Sequence, residues 1–477
     1  MTQNLFNSSS MEGAELGGEL IRKEPVFALP VDSDHKATEL RLWSWAPPHM
    51  RAFHLSWISL YACFFSTFAI PPLLPVIRDN LNLTDRDISN AGIASFMGSI
   101  FSRLAMGPVC DLVGPRLASA TLSLVTAPVV FATSLASSAQ AFILLRFLIG
   151  FSIANFVANQ FWMTSMFSPR IVGLANGVSA GWANVGSGAT QLLMPLIYSL
   201  ITNLGVTSFT AWRVAFIIPA TFQTLTALMV LIYGQDLPDG NYMQIRHRRA
   251  SDKPRSSFFE VLFHGLRNYR GWILGLIYGF CFGVELTIDN IIAEYFYDRF
   301  DVEIQVSGAI AASFGLANIV SRPAGGVLSD EMAKRFGIRG RLWSLWVVMT
   351  IAGLLCVILG RVNSLATSII VMSAFSFFVQ AASGLTFGVV PFVSQRSLGV
   401  IAGMTGSGGT VGSVVTQLLL FSGSNFSKQT GISLMGFMMI GSSLSIPLIY
   451  FPQWGGMFCG PSKHQDALGQ QNYYLLE

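Results

Sequence analysis

The chain has 477 residues, of which 52% are hydrophobic and only 11% charged, with a formal net charge of +4. A soluble domain carries roughly 25% charged residues, and a soluble chain of this length would hold about three domains. The apolar residues here instead form repeated runs long enough to span a membrane, which excludes that organisation. Roughly 20 apolar residues cross the roughly 30 Å hydrocarbon layer as a helix. Inside lipid such runs must be helical, because every backbone polar group needs an internal partner. Forty-five glycines suit close packing between such helices.

In chain order, residues 1–52 are polar, lack the apolar stretch of a signal peptide and read as a cytoplasmic N-tail. Hydropathy predicts twelve spans, near 53–77, 89–110, 117–136, 139–163, 172–201, 212–234, 271–296, 305–329, 342–360, 365–390, 398–422 and 432–451. A basic cytoplasmic linker, 235–270, separates an N-terminal six-helix half (53–234) from a C-terminal one (271–451), and 452–477 form a C-tail. The expected fold is therefore an all-α integral membrane protein with twelve transmembrane helices.

With both tails cytoplasmic, 20 of the 29 lysines and arginines fall on the cytoplasmic side. The opposite side keeps Arg78, Arg86, Arg213, Arg299, Arg361 and Lys428, and Arg103, Arg146 and Arg322 lie within spans. This bias sets the orientation; it is no nucleic-acid footprint. Arg246, Arg248, Arg249, Lys253 and Arg255 read as a solvated, topology-setting loop, with contact to anionic lipid as the alternative. Five scattered cysteines show no metal spacing and read as small apolar residues, so no metal is expected. No Ser/His/Asp arrangement lies within the spans, and no enzymatic activity or organic cofactor is expected. The sequons at Asn82 and Asn425 fall in short loops beside the membrane and are expected to stay unmodified.

The two halves repeat. Ser102-Arg103-Leu-Ala-Met-Gly107-Pro-Val-Cys-Asp111 and Ser321-Arg322-Pro-Ala-Gly-Gly326-Val-Leu-Ser-Asp330 share one pattern, at the ends of spans 2 and 8. Gly177-Val-Ser-Ala-Gly181 returns as Gly399-Val-Ile-Ala-Gly403, and Thr190-Gln-Leu-Leu193 as Thr416-Gln-Leu-Leu419. Duplicated halves mark a transporter whose site lies near the midplane, between the repeats. Each of Arg103 and Arg322 lies eight residues before its aspartate, about 12 Å of helix and close to half the hydrocarbon core. A charge there costs at least about 2.5 kcal/mol and is a functional candidate by default. Two such cations repel unless an anion lies between them, and a guanidinium fork suits a planar oxyanion. The competing reading is a structural ion pair, although neither arginine has a matching acid in its own span.

Gly107-x-x-x-Asp111-x-x-Gly114-Pro115-Arg116 and Arg146-x-x-x-Gly150 resemble the loop and fourth-helix motifs of the major facilitator superfamily. Ala180-Gly181-Trp182-Ala183-Asn184-Val185-Gly186 and Gly403-Met-Thr-Gly406-Ser-Gly408-Gly409-Thr-Val-Gly412 look like the paired signatures of the nitrate/nitrite porter family. Val31-Asp-Ser-Asp-His-Lys-Ala-Thr and Phe451-Pro-Gln-Trp-Gly-Gly resemble the flanks of its plant high-affinity members, and the short tails are more like the vacuolar, seed-expressed type. The resemblance implies two pseudo-symmetric halves, proton-coupled nitrate symport by alternating access in nitrate assimilation, and nitrite as a co-substrate. It favours the vacuolar over the plasma membrane, and adds as a candidate partner the single-span accessory protein that root-type members use.

Carried over residue by residue, the family's pocket falls on Arg103, Arg322, Asn184, Tyr278, Phe156 and Phe387. The cytoplasmic gate falls on Asp111, Arg116 and Asp330, with Asp and Arg latching two helices. Trp182 departs from bacterial members, which have a smaller residue there. Plain helix packing is the rival reading for the two phenylalanines. The signature glycines Gly181, Gly186, Gly408 and Gly409 are expected where helices of the two halves slide past each other, so Gly408→Ala should slow turnover more than it lowers expression. Glu285 and Asp289 in span 7 are the proton-coupling candidates, with Glu285 paired to a polar group or to Arg146 as the alternative. Competing functions are transport of another small anion and a non-transporting nitrate sensor on the same fold.

Overall fold

A computed structural model describes residues 27–243, 258–302, 304–421 and 426–461. The sequon asparagine Asn425, the five linker cations from Arg246 to Arg255, and the outer parts of both tails lie outside the described residues.

Among the described residues twelve helical positions follow in order. The N-terminal half holds α1 (His49–Thr67), α2 (Asp85–Val113), α3 (Pro115–Ala132), α4 (Ala139–Met166), α5 (Val172–Asn203) and α6 (Ser208–Tyr233). The C-terminal half holds α7 (Tyr269–Phe300), α8 (Ile304–Leu316 continued by Asn318–Phe336), α9 (Ile338–Leu359), α10 (Leu365–Val389), α11 (Leu398–Leu420) and α12 (Lys428–Ser443). Among the described residues eleven of these positions are long and apolar enough to cross a membrane as one stretch. The exception is α8, which breaks at Ala317 and is polar beyond the break, where Ser321, Arg322, Ser329 and Asp330 are buried. A broken, polar-faced helix is tolerated at membrane depth only where protein covers it.

Local signals set the ends. Thr84 accepts from the Asp87 amide and its own amide bonds the Asp87 carboxylate, a capping box that starts α2. Gly114, at φ +90°, ends α2, and Pro115 occupies the first position of α3. Glycine takes that φ without strain, and proline at the first helical position needs no amide partner. Ser138 caps α4, which is interrupted by a 3-10 turn at Phe151–Ala154.

Helices α1, α3, α5 and α6 pack within one half, and α7, α9, α10, α11 and α12 within the other. The halves meet along two crossed seams, α5 against α8 and α2 against α11. Two segments outside the spans are docked onto the bundle. Residues Val31 and Ala37 pair with each other, and Ala37 pairs onward with Phe167 in the α4–α5 connection. The linker forms a short helix, Phe258–Leu266, that packs against α2 and α11. At the start of α3, burial pushes the Asp236 carboxyl up against the pull of the Arg116 and Tyr242 amides.

Candidate functional site

The two repeated motifs bring Arg103 and Arg322 to equivalent depths, each 1% exposed. Their environments differ. Arg322 Nη2 pairs with Glu285 Oε2 at 2.9 Å, and Asn318 Nδ2 holds the other carboxylate oxygen at 2.7 Å. With its amide oxygen turned to the guanidinium, Asn184 accepts from Arg322 Nη1 at 2.8 Å and Nη2 at 2.9 Å. Arg103 forms no ion pair among the described residues. Its Nη1 donates to the Gly406 carbonyl, and to Thr410 Oγ1 at 3.0 Å, while its Nε is buried without a partner. The two guanidiniums and Glu285 thus leave one positive charge uncompensated.

Aromatic rings close the space between the arginines. Tyr278 stacks on Phe282 with centroids 5.0 Å apart, and Phe387 stands edge-on to Phe156 at 5.0 Å and to Tyr278 at 5.1 Å. The Phe282 ring lies 5.6 Å from the Arg103 guanidinium carbon and 5.0 Å from that of Arg322. A ring face attracts cations through its quadrupole, so Phe282 lowers the repulsion between the pair. The Tyr278 hydroxyl, beside Arg322, makes no well-formed hydrogen bond among the described residues. A guanidinium can only donate, so the hydroxyl beside it keeps its own proton free for an anion's oxygen.

All six carried-over pocket residues therefore converge. Of the two acids, Glu285 reaches the site by pairing with Arg322; Arg146 is not its partner. Asp289, one turn farther along α7, is exposed and bonds neither arginine. Trp182 turns away from the pocket and packs edge-on against Trp57 of α1 at 5.5 Å.

One face of the bundle is closed by two symmetric latches. Asp111, ending α2, accepts from the Gly399 and Val400 amides at 2.9 and 3.1 Å, in the first turn of α11. Asp330, on α8, accepts from the Gly173 and Leu174 amides at 3.0 and 2.7 Å, in the first turn of α5. Helix N-termini carry unsatisfied amides and partial positive charge, so a carboxylate there is favourable. Arg116 does not latch onto Asp111: its Nη1 donates to Asn241 at 2.8 Å, which ties the start of α3 to the linker. In the other half Arg341 does the bridging, donating to Asp330 at 2.8 Å and across the halves to the Pro169 carbonyl at 2.8 Å.

The signature glycines divide into two groups. A Cβ on Gly181 would lie 2.7 Å from the Asn318 carbonyl, and one on Gly403 2.6 Å from the Arg103 carbonyl, so both sit between the halves. Gly406 faces the Arg103 side chain and Phe156. The expected half-to-half position fails for three others. Gly186 meets α1 at the Tyr61 carbonyl, while Gly408 and Gly409 meet α7 at Gly275 and Tyr278, all within one half.

On the face opposite the latches lies a cavity of about 610 Å³, lined among others by Thr67, Ser95, Arg146, Ile153, Asn290 and Gln417. The bundle is thus shut on the Asp111 side and open on the other. Among the described residues no group of His, Cys, Asp or Glu is arranged to hold a metal ion.

Phe282, Asn318 and Arg341 were not legible as site residues. Phe282 carried a weak signal, four residues after Tyr278 and hence on the same helical face.

Comparison with known proteins identifies the family. A family model described as Major Facilitator Superfamily matches residues 56–417. The chain is 60% identical over 466 residues to the high affinity nitrate transporter 2.5 of Arabidopsis thaliana, covering 98% of this chain and 92% of that one. It is 62% identical to the high affinity nitrate transporter 2.7 of the same plant, covering 95% of each. Among solved structures it is similar to the Major Facilitator Superfamily transporter FucP in the outward conformation, with TM-score 0.62 and 15% identity, covering 82% of this chain and 97% of that one. A likeness this distant speaks for the fold alone. The chain is a multi-pass membrane protein that belongs to the plant high-affinity nitrate transporters of the Major Facilitator Superfamily.

Proposed function

We propose that this chain carries nitrate across a membrane by alternating access, holding the ion between Arg103 and Arg322. The observation that carries the reading is the charge balance: a closed, aromatic-walled site with two guanidiniums and one partnering carboxylate, one positive charge in excess. A single monovalent anion neutralises it. Asn184 and Tyr278 add polar groups at the height of the anion, and the names of the relatives supply the anion's identity. Nitrite shares the charge and the acceptor oxygens and fits the same reading.

Protons are the proposed driving ion. Glu285 competes with an anion for Arg322, so protonating Glu285 frees the guanidinium. Asp289, exposed on the next turn of α7, offers the proton a route. The lysine and arginine bias supports a cytosolic latched face, with the cavity facing outward.

The test is nitrate flux in proteoliposomes holding this chain alone, which also decides whether an accessory protein is required. Arg103→Lys and Arg322→Lys keep the charge and lose the bidentate fork. Each is expected to abolish flux almost completely while the protein still inserts. Near-normal flux in either variant refutes the pocket. Nitrate binding without flux in the unaltered protein favours the sensor reading.

A further inference from the structure

The central site leaves one charge of the membrane interior unused. Arg146 lies on α4, ten residues before Phe156, about 15 Å of helical rise. Its Nη1 donates to the Thr67 carbonyl at the end of α1, at 3.2 Å. Among the described residues no carboxylate pairs with it, and the side chain is half-buried at the cavity wall. An isolated cation at such depth is costly unless it has a role.

Symmetry does not explain the cation. Phe156 and Phe387 occupy matching places in the two halves, and the position ten residues before Phe387 is Phe377, 39% exposed. The fold therefore accepts an apolar side chain there.

Arg146 faces the cavity of about 610 Å³, whose wall also carries Asn290 and Gln417. Their amides lie at the limit of hydrogen-bond distance, 3.5 Å apart, an opening a small acceptor can enter. From the cavity a line of hydroxyls leads inward. Ser95 lines the wall, Ser99 lies one turn deeper and 3.5 Å from Thr410, and Thr410 accepts from Arg103.

We infer that Arg146, with Asn290 and Gln417, forms an outer docking site for a small monovalent oxyanion, which then passes along Ser95, Ser99 and Thr410 to Arg103. The inference rests on the nitrate-transport reading and adds an earlier stop to it. A cation in a low-dielectric mouth concentrates anions and raises their capture rate. The hydroxyls replace lost hydration water on the way down.

The experiment is a calorimetric titration of nitrate into the full chain in lipid nanodiscs, with flux measured in parallel. The unaltered protein is expected to bind two nitrates per chain, and Arg146→Gln one. Loss of the outer stop should also lower Vmax/KM about tenfold in both flux directions, the size of one lost charge-assisted bond. Arg146→Lys keeps the charge and should retain the second site. Should Arg146→Gln fail to fold, Gln417→Leu removes only a neutral donor and should weaken the outer site about fivefold. One nitrate per unaltered chain, or two per Arg146→Gln chain, overturns the docking site and spares the central one. No nitrate binding or flux in the unaltered protein overturns both.

Discussion

Asp111→Asn tests whether the latch on α11 holds the cavity-open state. The carboxylate accepts two amides of the first turn of α11, at 2.9 and 3.1 Å. Asparagine has nearly the same shape but turns one acceptor into a donor that faces an N–H. The closed latch loses one charge-assisted bond, about 1.5–3 kcal/mol, and its share of helix-end attraction, about 0.3–1 kcal/mol. These contacts join the halves, so they exist only while that face is shut. A net loss of about 2 kcal/mol raises the population open on the Asp111 side about thirtyfold. The reporter is Asn176→Cys, at a buried position whose side chain now reaches across the halves to the Phe387 carbonyl at 3.3 Å. The four other described thiols within the bundle are buried and Cys459 is exposed, so Cys459→Ser clears the background. Maleimide labelling of the reporter should rise about thirtyfold in the Asp111→Asn background. A rate within about twofold of the parent, with a lowered melting temperature, would show that Asp111 only caps a helix, and refutes the reasoning.

Gly181→Ala and Gly403→Ala should slow nitrate turnover while leaving surface expression near normal, because each methyl strikes a carbonyl of the opposite half. Gly408→Ala strikes α7 inside its own half, so expression and flux should fall together; flux lost alone would return Gly408 to the sliding surface. Fluorescent tagging in plant cells checks the vacuolar placement that the family resemblance implies. Signal on the vacuolar membrane is expected, and signal confined to the plasma membrane overturns it.

The twelve helices were legible because lipid imposes length and apolarity on every span. The eighth was legible in place but not in form: it breaks at Ala317, and the polar residues beyond the break are ones that only packing can shelter. The arginine pair was legible from duplication alone, since Ser102–Asp111 and Ser321–Asp330 repeat letter for letter at five positions. Asymmetry was harder to read. Glu285 lies 37 residues before Arg322, and nothing along the chain says that α7 brings it there. The motif supplied Arg116 beside Asp111 but no cation for Asp330, and the structure ties Arg116 to Asn241 while Arg341 serves Asp330. Those partners depend on how the linker and the α4–α5 connection fold back. Gly186 and Gly408 misled because close packing within a half and between halves demands the same residue.

The pairing of Glu285 with Arg322 turns the coupling question into one of competition for a guanidinium. In the present state Glu285 Oε2 takes Arg322 Nη2 at 2.9 Å, and Asn318 anchors the other oxygen at 2.7 Å. Removing one partner of a buried ion pair costs about 3–5 kcal/mol because the other charge is left alone. Protonation does this without removing the side chain, and an arriving nitrate relieves the cost by replacing the lost negative charge. On the proposed coupling, proton and nitrate each favour the other's binding, by the same factor. Glutamine copies the protonated form: similar size, one acceptor, no charge. Glu285→Gln should therefore bind nitrate with an affinity that no longer varies with pH. Nitrate counterflow should survive, while accumulation driven by acid is lost. Nitrate-evoked current measured against pH decides the matter. Accumulation that persists with unchanged pH dependence would mean that Glu285 only holds Arg322 in place and that the proton crosses by another route.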